Sequence, residues 1–155
     1  MTDVRGWTVA HGIVLRQIDR VWLLGIHPDA SRVAAHIDRY IITEDALVID
    51  HSAEAGLVWN LSELDKTVEE ITHARLPDSA IAKNLFWGPR GIVQSFVDEH
   101  LVPMSEQEWQ LWRILRFWPQ MGEDIPEKCI PQEVDRTQSA ISFTKGCYLG
   151  QETIA

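Results

Sequence analysis

Long apolar runs are missing from this chain. No stretch approaches the ~20 residues that cross a bilayer, and Met1-Thr2-Asp3-Val4-Arg5-Gly6 has no apolar signal core. Cysteine is scarce: Cys129 and Cys147 are the two in the chain, too few for a disulfide framework. They also lack the close spacing and histidine partners of a zinc site. A reducing, cytoplasmic compartment is the simpler expectation. Positive charge is in deficit, with 14 Lys and Arg against 23 Asp and Glu, a net charge of −9 and a pI near 5.0. That argues against binding a nucleic-acid backbone and against an anionic membrane surface. It leaves room for a small anion held by a local patch. The six histidines, His11, His27, His36, His51, His73 and His100, form no His-x-x-x-His pattern, so no metal site is expected. Internal repeats, low-complexity tracts and charge runs are absent as well.

What is present suffices for a core. Hydrophobic residues make up 45% of the chain and seven are tryptophan. Residues 1–155 therefore read as a single domain. Val9 to Gln17 and Arg20 to Ile26 read as a strand pair across a turn at Ile18-Asp19. Pro28 suits the first turn of a helix carrying Val33, Ala34, Ile37 and Ile41 as its apolar stripe. Ala46–Asp50 and Gly56–Asn60 read as paired strands, and Ser62 as the cap of a helix to about His73. Ile81–Trp87 reads as a strand and Gly91–Glu99 as a helix. Ser105-Glu106-Gln107-Glu108 is a capping box. The helix it opens places Trp109, Trp112, Leu115 and Trp118 on one broad face and ends at Pro119. The chain is turn-rich to Pro131, and Ala140–Thr144 then reads as a short strand. The pattern is α+β: an antiparallel sheet with helices on one face.

The most informative stretch follows: Phe143-Thr144-Lys145-Gly146-Cys147-Tyr148-Leu149-Gly150-Gln151-Glu152. A cysteine reacts as its thiolate, which a neighbouring cation such as Lys145 favours. Gly150 can open a helix with Gln151 and Glu152 in its first turn, where polar and acidic side chains are favoured. Glycines at 146 and 150 permit a tight turn and close approach of backbone to a ligand. The alternative is a buried structural thiol in a turn.

Lys145, Gly146, Cys147, Tyr148, Gly150, Gln151 and Glu152 together resemble the signature of the YgfZ family, folate-binding relatives of the glycine-cleavage T-protein linked to iron–sulfur protein maturation. His27-Pro28-Asp29 with Ile37–Ile42, Arg113 through Asp124, and Ile130-Pro131-Gln132-Glu133 are similar to further parts of that family. The resemblance implies a T-protein-like folate-binding domain with tetrahydrofolate as cofactor, and a partial chain without the family's C-terminal β-barrel. It implies Cys147 as the catalytic or redox thiol, and Glu133, Lys145, Tyr148 and Gln151 as folate-binding residues. Iron–sulfur protein clients are the implied partners. Glu133 also has a chemical case, because one ionised carboxylate accepts both the amino group and the adjacent ring N–H of a pterin.

Two departures bear on activity. T-protein enzymes carry acidic residues shortly after the equivalent of Gly6, where this chain has Ala10 and His11. Aminomethyl transfer, the alternative function, therefore lacks its acid–base carboxylate. Leu115 and Phe117 replace the glutamate and glycine usual after Arg113. A domain whose cysteine motif only packs against further structure is the third reading.

Overall fold

The computed structural model describes residues 1–25, 27–64, 66–77, 81–144 and 146–154. The chain divides into two compact units, Ile49–Trp118 and the segments Met1–Val48 with Pro119–Ala155. The fold is mixed, with two antiparallel sheets and, among the described residues, five α-helices. The single sheet expected from the pattern is thus two, one in each unit.

The unit Ile49–Trp118 is built on a three-stranded sheet. Its strands are β3 (Ala55–Asn60), β4 (Thr72–Arg75) and β5 (Asn84–Pro89), in the order β3-β5-β4. The central strand is covered on both faces, which is why Leu85, Phe86 and Trp87 are consecutively apolar and buried rather than alternating. α2 (Arg90–His100) leaves the sheet directly and lays Val93 and Phe96 over Phe86 and Ile71. Gly56 allows this closeness: a Cβ there would stand 2.9 Å from Val93. α3 (Glu106–Leu115) starts at the expected capping box, in which Ser105 and Glu108 exchange hydrogen bonds. Trp118 is buried and meets Trp59 edge-on with ring centroids 5.7 Å apart. Trp112 donates to the Ile81 carbonyl at 2.8 Å. Packing and not ligand stacking accounts for these two rings. Leu115, expected inside, is exposed.

Two readings fail here. Among the described residues from Ser62 to His73 no helix forms. The Ser62 carbonyl accepts from the amides of Asn60 and Asn84, and Glu70 has a left-handed φ of 70°. Thr72–Arg75 then pairs with β5, so tertiary pairing overrides the local helical spacing. Ala46–Asp50 forms no strand either; β3 takes β5 as its partner, and Leu47 and Ile49 stay exposed.

In the unit Met1–Val48 with Pro119–Ala155, β1 (Ile13–Arg16) and β2 (Val21–Leu24) form the expected hairpin, closed by the Gln17 N–H on the Arg20 carbonyl. α1 (Ala30–Asp38) is capped by the Asp29 carboxylate on the Arg32 N–H, which leaves Pro28 outside the first turn. A 3₁₀ turn (Pro131–Val134), α4 (Thr137–Ala140) and α5 (Gln151–Ile154) complete it. Residues 141–144 form no strand; α4 takes up Ala140 instead. Among the described residues no helix is long and apolar enough to cross a membrane.

Candidate functional site

The cysteine motif is fastened to the amino-terminal segment by backbone contacts. Asp3 to Trp7 form a tight turn in which the Asp3 carboxylate accepts the Arg5 and Trp7 N–H groups. The Thr2 hydroxyl donates to the Leu149 carbonyl at 2.8 Å. Gly150, at φ 75°, and Gly6, at φ 82°, face each other so closely that a Cβ on Gly150 would lie 2.5 Å from the Gly6 backbone. The glycine expected to admit a ligand admits the chain's own backbone instead. It opens α5 as expected, with Gln151 and Glu152 in the first turn. The Gln151 side-chain oxygen accepts the Tyr148 N–H at 3.3 Å, and Glu152 is exposed. A second tie runs from the Gln132 amide to the Ile154 carbonyl at 2.6 Å, joining the 3₁₀ turn to α5.

Between these pieces lies a cavity of about 110 Å³. Thr8, Ala10, His11, Pro131, Val134, Arg136, Tyr148 and Ile154 are among its walls. Its volume is below the ~150 Å³ that encloses a benzene ring, so it does not admit a bicyclic pterin. Tyr148 thus turns inward, while Cys147 next to it is exposed. Glu133 is also exposed, and one of its oxygens accepts the Ile130 N–H at 2.8 Å. Neither Glu133 nor Cys147 lines the cavity; their neighbours Pro131, Val134 and Tyr148 do. A carboxylate offers about four acceptor positions, so Glu133 retains capacity for the donor edge of a pterin. These acceptor positions lie at the surface, outside the cavity. Lys145, the cation expected beside the thiol, lies outside the described residues.

The two cysteines differ sharply. Cys129 is buried, and burial followed by the nearby Glu133 carboxylate pushes its thiol above the ordinary value. Native-state alkylation with iodoacetamide at mildly alkaline pH is expected to modify Cys147 at least roughly 100-fold faster than Cys129. Peptide mapping after timed quenching measures both rates. Equal rates in the native chain would contradict the burial of Cys129.

Of the cavity's polar lining, sequence reasoning named Tyr148 but gave no site role to His11 or Arg136. His11 belongs to it, with its pKa lowered from 6.5 to about 4. Desolvation is the largest cause, followed by the Arg136 guanidinium and the Met1 amino group, and a hydrogen bond to the Pro119 carbonyl opposes them. Burial also lowers the pKa of Arg136. The departure from an acidic residue near position 11 was the one available signal. Nothing in its spacing singles out Arg136.

No family model matches the chain. Curated proteins do. Proteins named "tRNA-modifying protein YgfZ" from Colwellia psychrerythraea and Aliivibrio fischeri are each 40% identical to it over 52 residues, which is 33% of this chain and 16% of theirs. The chain is related in part to YgfZ proteins. A protein of the same name from Vibrio vulnificus is 44% identical over 48 residues, covering 30% of this chain and 15% of its own. The matched segment thus spans about a sixth of the length of these curated relatives. No solved structure matches.

Proposed function

We propose that this chain has a YgfZ-like function: a tetrahydrofolate-binding accessory role, in the cytoplasm, in the assembly or repair of iron–sulfur proteins, carried on a T-protein-like folate-binding fold. The observation that carries it is the exposed Cys147 within the full Lys-Gly-Cys-Tyr-x-Gly-Gln-Glu motif, set against a buried Cys129. In this reading Glu133 accepts the pterin's paired donors, while Tyr148 and Gln151 shape the segment beside it. Lys145 favours the thiolate and the folate's carboxylate tail. Cys147 then acts by thiol–disulfide exchange: its thiolate attacks a partner disulfide, forming a mixed disulfide and releasing one partner thiolate. Tetrahydrofolate supplies a one-carbon acceptor when bound. The relatives' printed name speaks of tRNA modification. For this chain a net charge of −9 disfavours direct contact with an RNA backbone. Aminomethyl transfer is the weaker reading, since His11 stands where a carboxylate is needed.

Isothermal titration of tetrahydrofolate tests the proposal. Glu133→Gln puts a donor opposite the pterin's donors and should weaken binding by about 2 kcal/mol, roughly 30-fold. Unchanged affinity removes Glu133 from the site. Absence of binding by the unaltered chain removes the folate reading.

A further inference from the structure

We infer that the outer face of α3 is a self-association surface, on which a second copy of this chain lays its own α3 antiparallel. Three observations converge. The first is an apolar stripe left to solvent. Gln107, Leu111, Ile114 and Leu115 share one side of α3 by their helical spacing, while Arg113 is buried and Trp109 and Trp112 are half-buried on the other. Leu111, Ile114 and Leu115 are 61%, 59% and 64% exposed, and Phe117, just past the helix end, is 73% exposed. The second is backbone strain at that phenylalanine. The Phe117 N–H donates to the Ile114 carbonyl at 3.0 Å and the Trp118 N–H to the Arg113 carbonyl at 2.8 Å. This pair of bonds closes a helix on a left-handed residue, a place usually held by glycine. Phe117 takes it at φ 51°. A bulky L-residue there lowers the folding equilibrium constant about tenfold against glycine, and an exposed ring recovers little of that within the chain. Burial against a partner recovers it.

The third is what a second copy meets there. A net charge of −9 disfavours self-association over the surface at large, but the four residues of the stripe are uncharged. An antiparallel pair centred on Leu111 sets position 107 of one copy against position 115 of the other, and Glu106 at the level of Arg116. The acidic first turn, Glu106 and Glu108, thus approaches the end that carries Arg116, whose guanidinium also lies over the Trp112 ring. The opposed helix dipoles favour the same direction. A parallel pair would set acid against acid. Leu111, Ile114, Leu115 and Phe117 offer about 450 Å² per copy, or about 900 Å² for the pair. That is the size of a small, reversible interface, with a dissociation constant on the order of 10–100 µM.

The inference does not rest on the folate reading. Glu133 and Cys147, on which that reading is measured, belong to the other compact unit, so either can fail alone. Sedimentation equilibrium of the full chain tests it, with a thiol reductant present so that the exposed Cys147 forms no cross-link. A reversible monomer–dimer equilibrium is expected. Leu111→Glu sets a carboxylate against its own copy at the centre of the face and should weaken dimerisation at least about 30-fold. Phe117→Gly should weaken it about tenfold while raising the folding equilibrium constant of the dilute monomer about tenfold, read by urea unfolding. A residue with only a structural role would not move the two in opposite senses. Ile18→Glu, at the fully exposed hairpin tip, should leave the dimer unchanged. A chain still monomeric at about 500 µM would overturn the inference and leave the face to a different protein. So would a dimer that persists in folded Leu111→Glu, or one that Ile18→Glu weakens equally. If Leu111→Glu does not fold, Phe117→Gly, which relieves the backbone, decides.

Discussion

Replacing Gly150 by alanine should cost about 3 kcal/mol of stability, the largest effect expected of any substitution in the cysteine motif. Two terms add. A left-handed φ of 75° costs an L-residue about 1–2 kcal/mol. The new Cβ would also sit 2.5 Å from the Cα and N of Gly6 and 2.6 Å from the Asp3 carbonyl oxygen. These are backbone atoms, so no rotamer change relieves the contact, and displacing them costs roughly another 1–3 kcal/mol. Gly146→Ala is the internal control, since a Cβ at Gly146 meets nothing within 4 Å. It should change stability by less than about 1 kcal/mol. Urea unfolding compares the two variants. Hydrogen exchange at the Thr8 and Thr153 amides, which bond to Cys129 and Gly150, reports on this unit directly. Equal, small effects of both substitutions would show that the Gly6–Gly150 contact is not maintained in solution.

Acidification should destabilise the same unit through His11. Its pKa in the folded chain, about 4, lies below its ordinary 6.5, so the folded state binds this proton less readily than the unfolded state. The contribution of the neutral imidazole is therefore complete above pH 6.5. It is lost progressively as pH falls from 6.5 to about 4, and amounts to at most about 3 kcal/mol. Some exposure of His11 brings the expected loss nearer to about 2 kcal/mol. Carboxylates titrate in the lower part of this window, so the measurement is a difference. Stability against pH is compared between the unaltered chain and His11→Asn, which removes the titration and retains a donor for the Pro119 carbonyl. The His11→Asn curve should be flatter between pH 6.5 and 4. Parallel curves would show that His11 is solvated.

Where the chain carries strong local chemistry, the sequence foretold its structure. The hairpin at Ile13–Leu24 follows from two β-rich runs around Ile18-Asp19. The start of α3 follows from the reciprocal Ser105–Glu108 hydrogen bonds, which are complete within four residues. The motif's reading as a turn into a short helix at Gly150 needed nothing from the rest of the chain. The partial relation to YgfZ proteins was legible in the same residues.

Tertiary structure decided what no short segment can encode. Thr72–Arg75 became a strand because β5 offered an open edge and the Asn60 and Asn84 amides claimed the Ser62 carbonyl, although the spacing of Leu64, Val68 and Ile71 is helical. Ala46–Asp50 lost its strand because β3 pairs with β5. The partner of Gly150 is Gly6, 144 residues earlier, and only folding shows that this glycine makes room for backbone. The cavity is of the same kind. His11, Arg136 and Tyr148 carry no shared spacing, and each is ordinary where it stands in the sequence. The fold takes them out of water together and limits the space between them. Desolvation, joined at His11 by like charge, acts through space and not along the chain, and it gives His11 and Arg136 their altered chemistry.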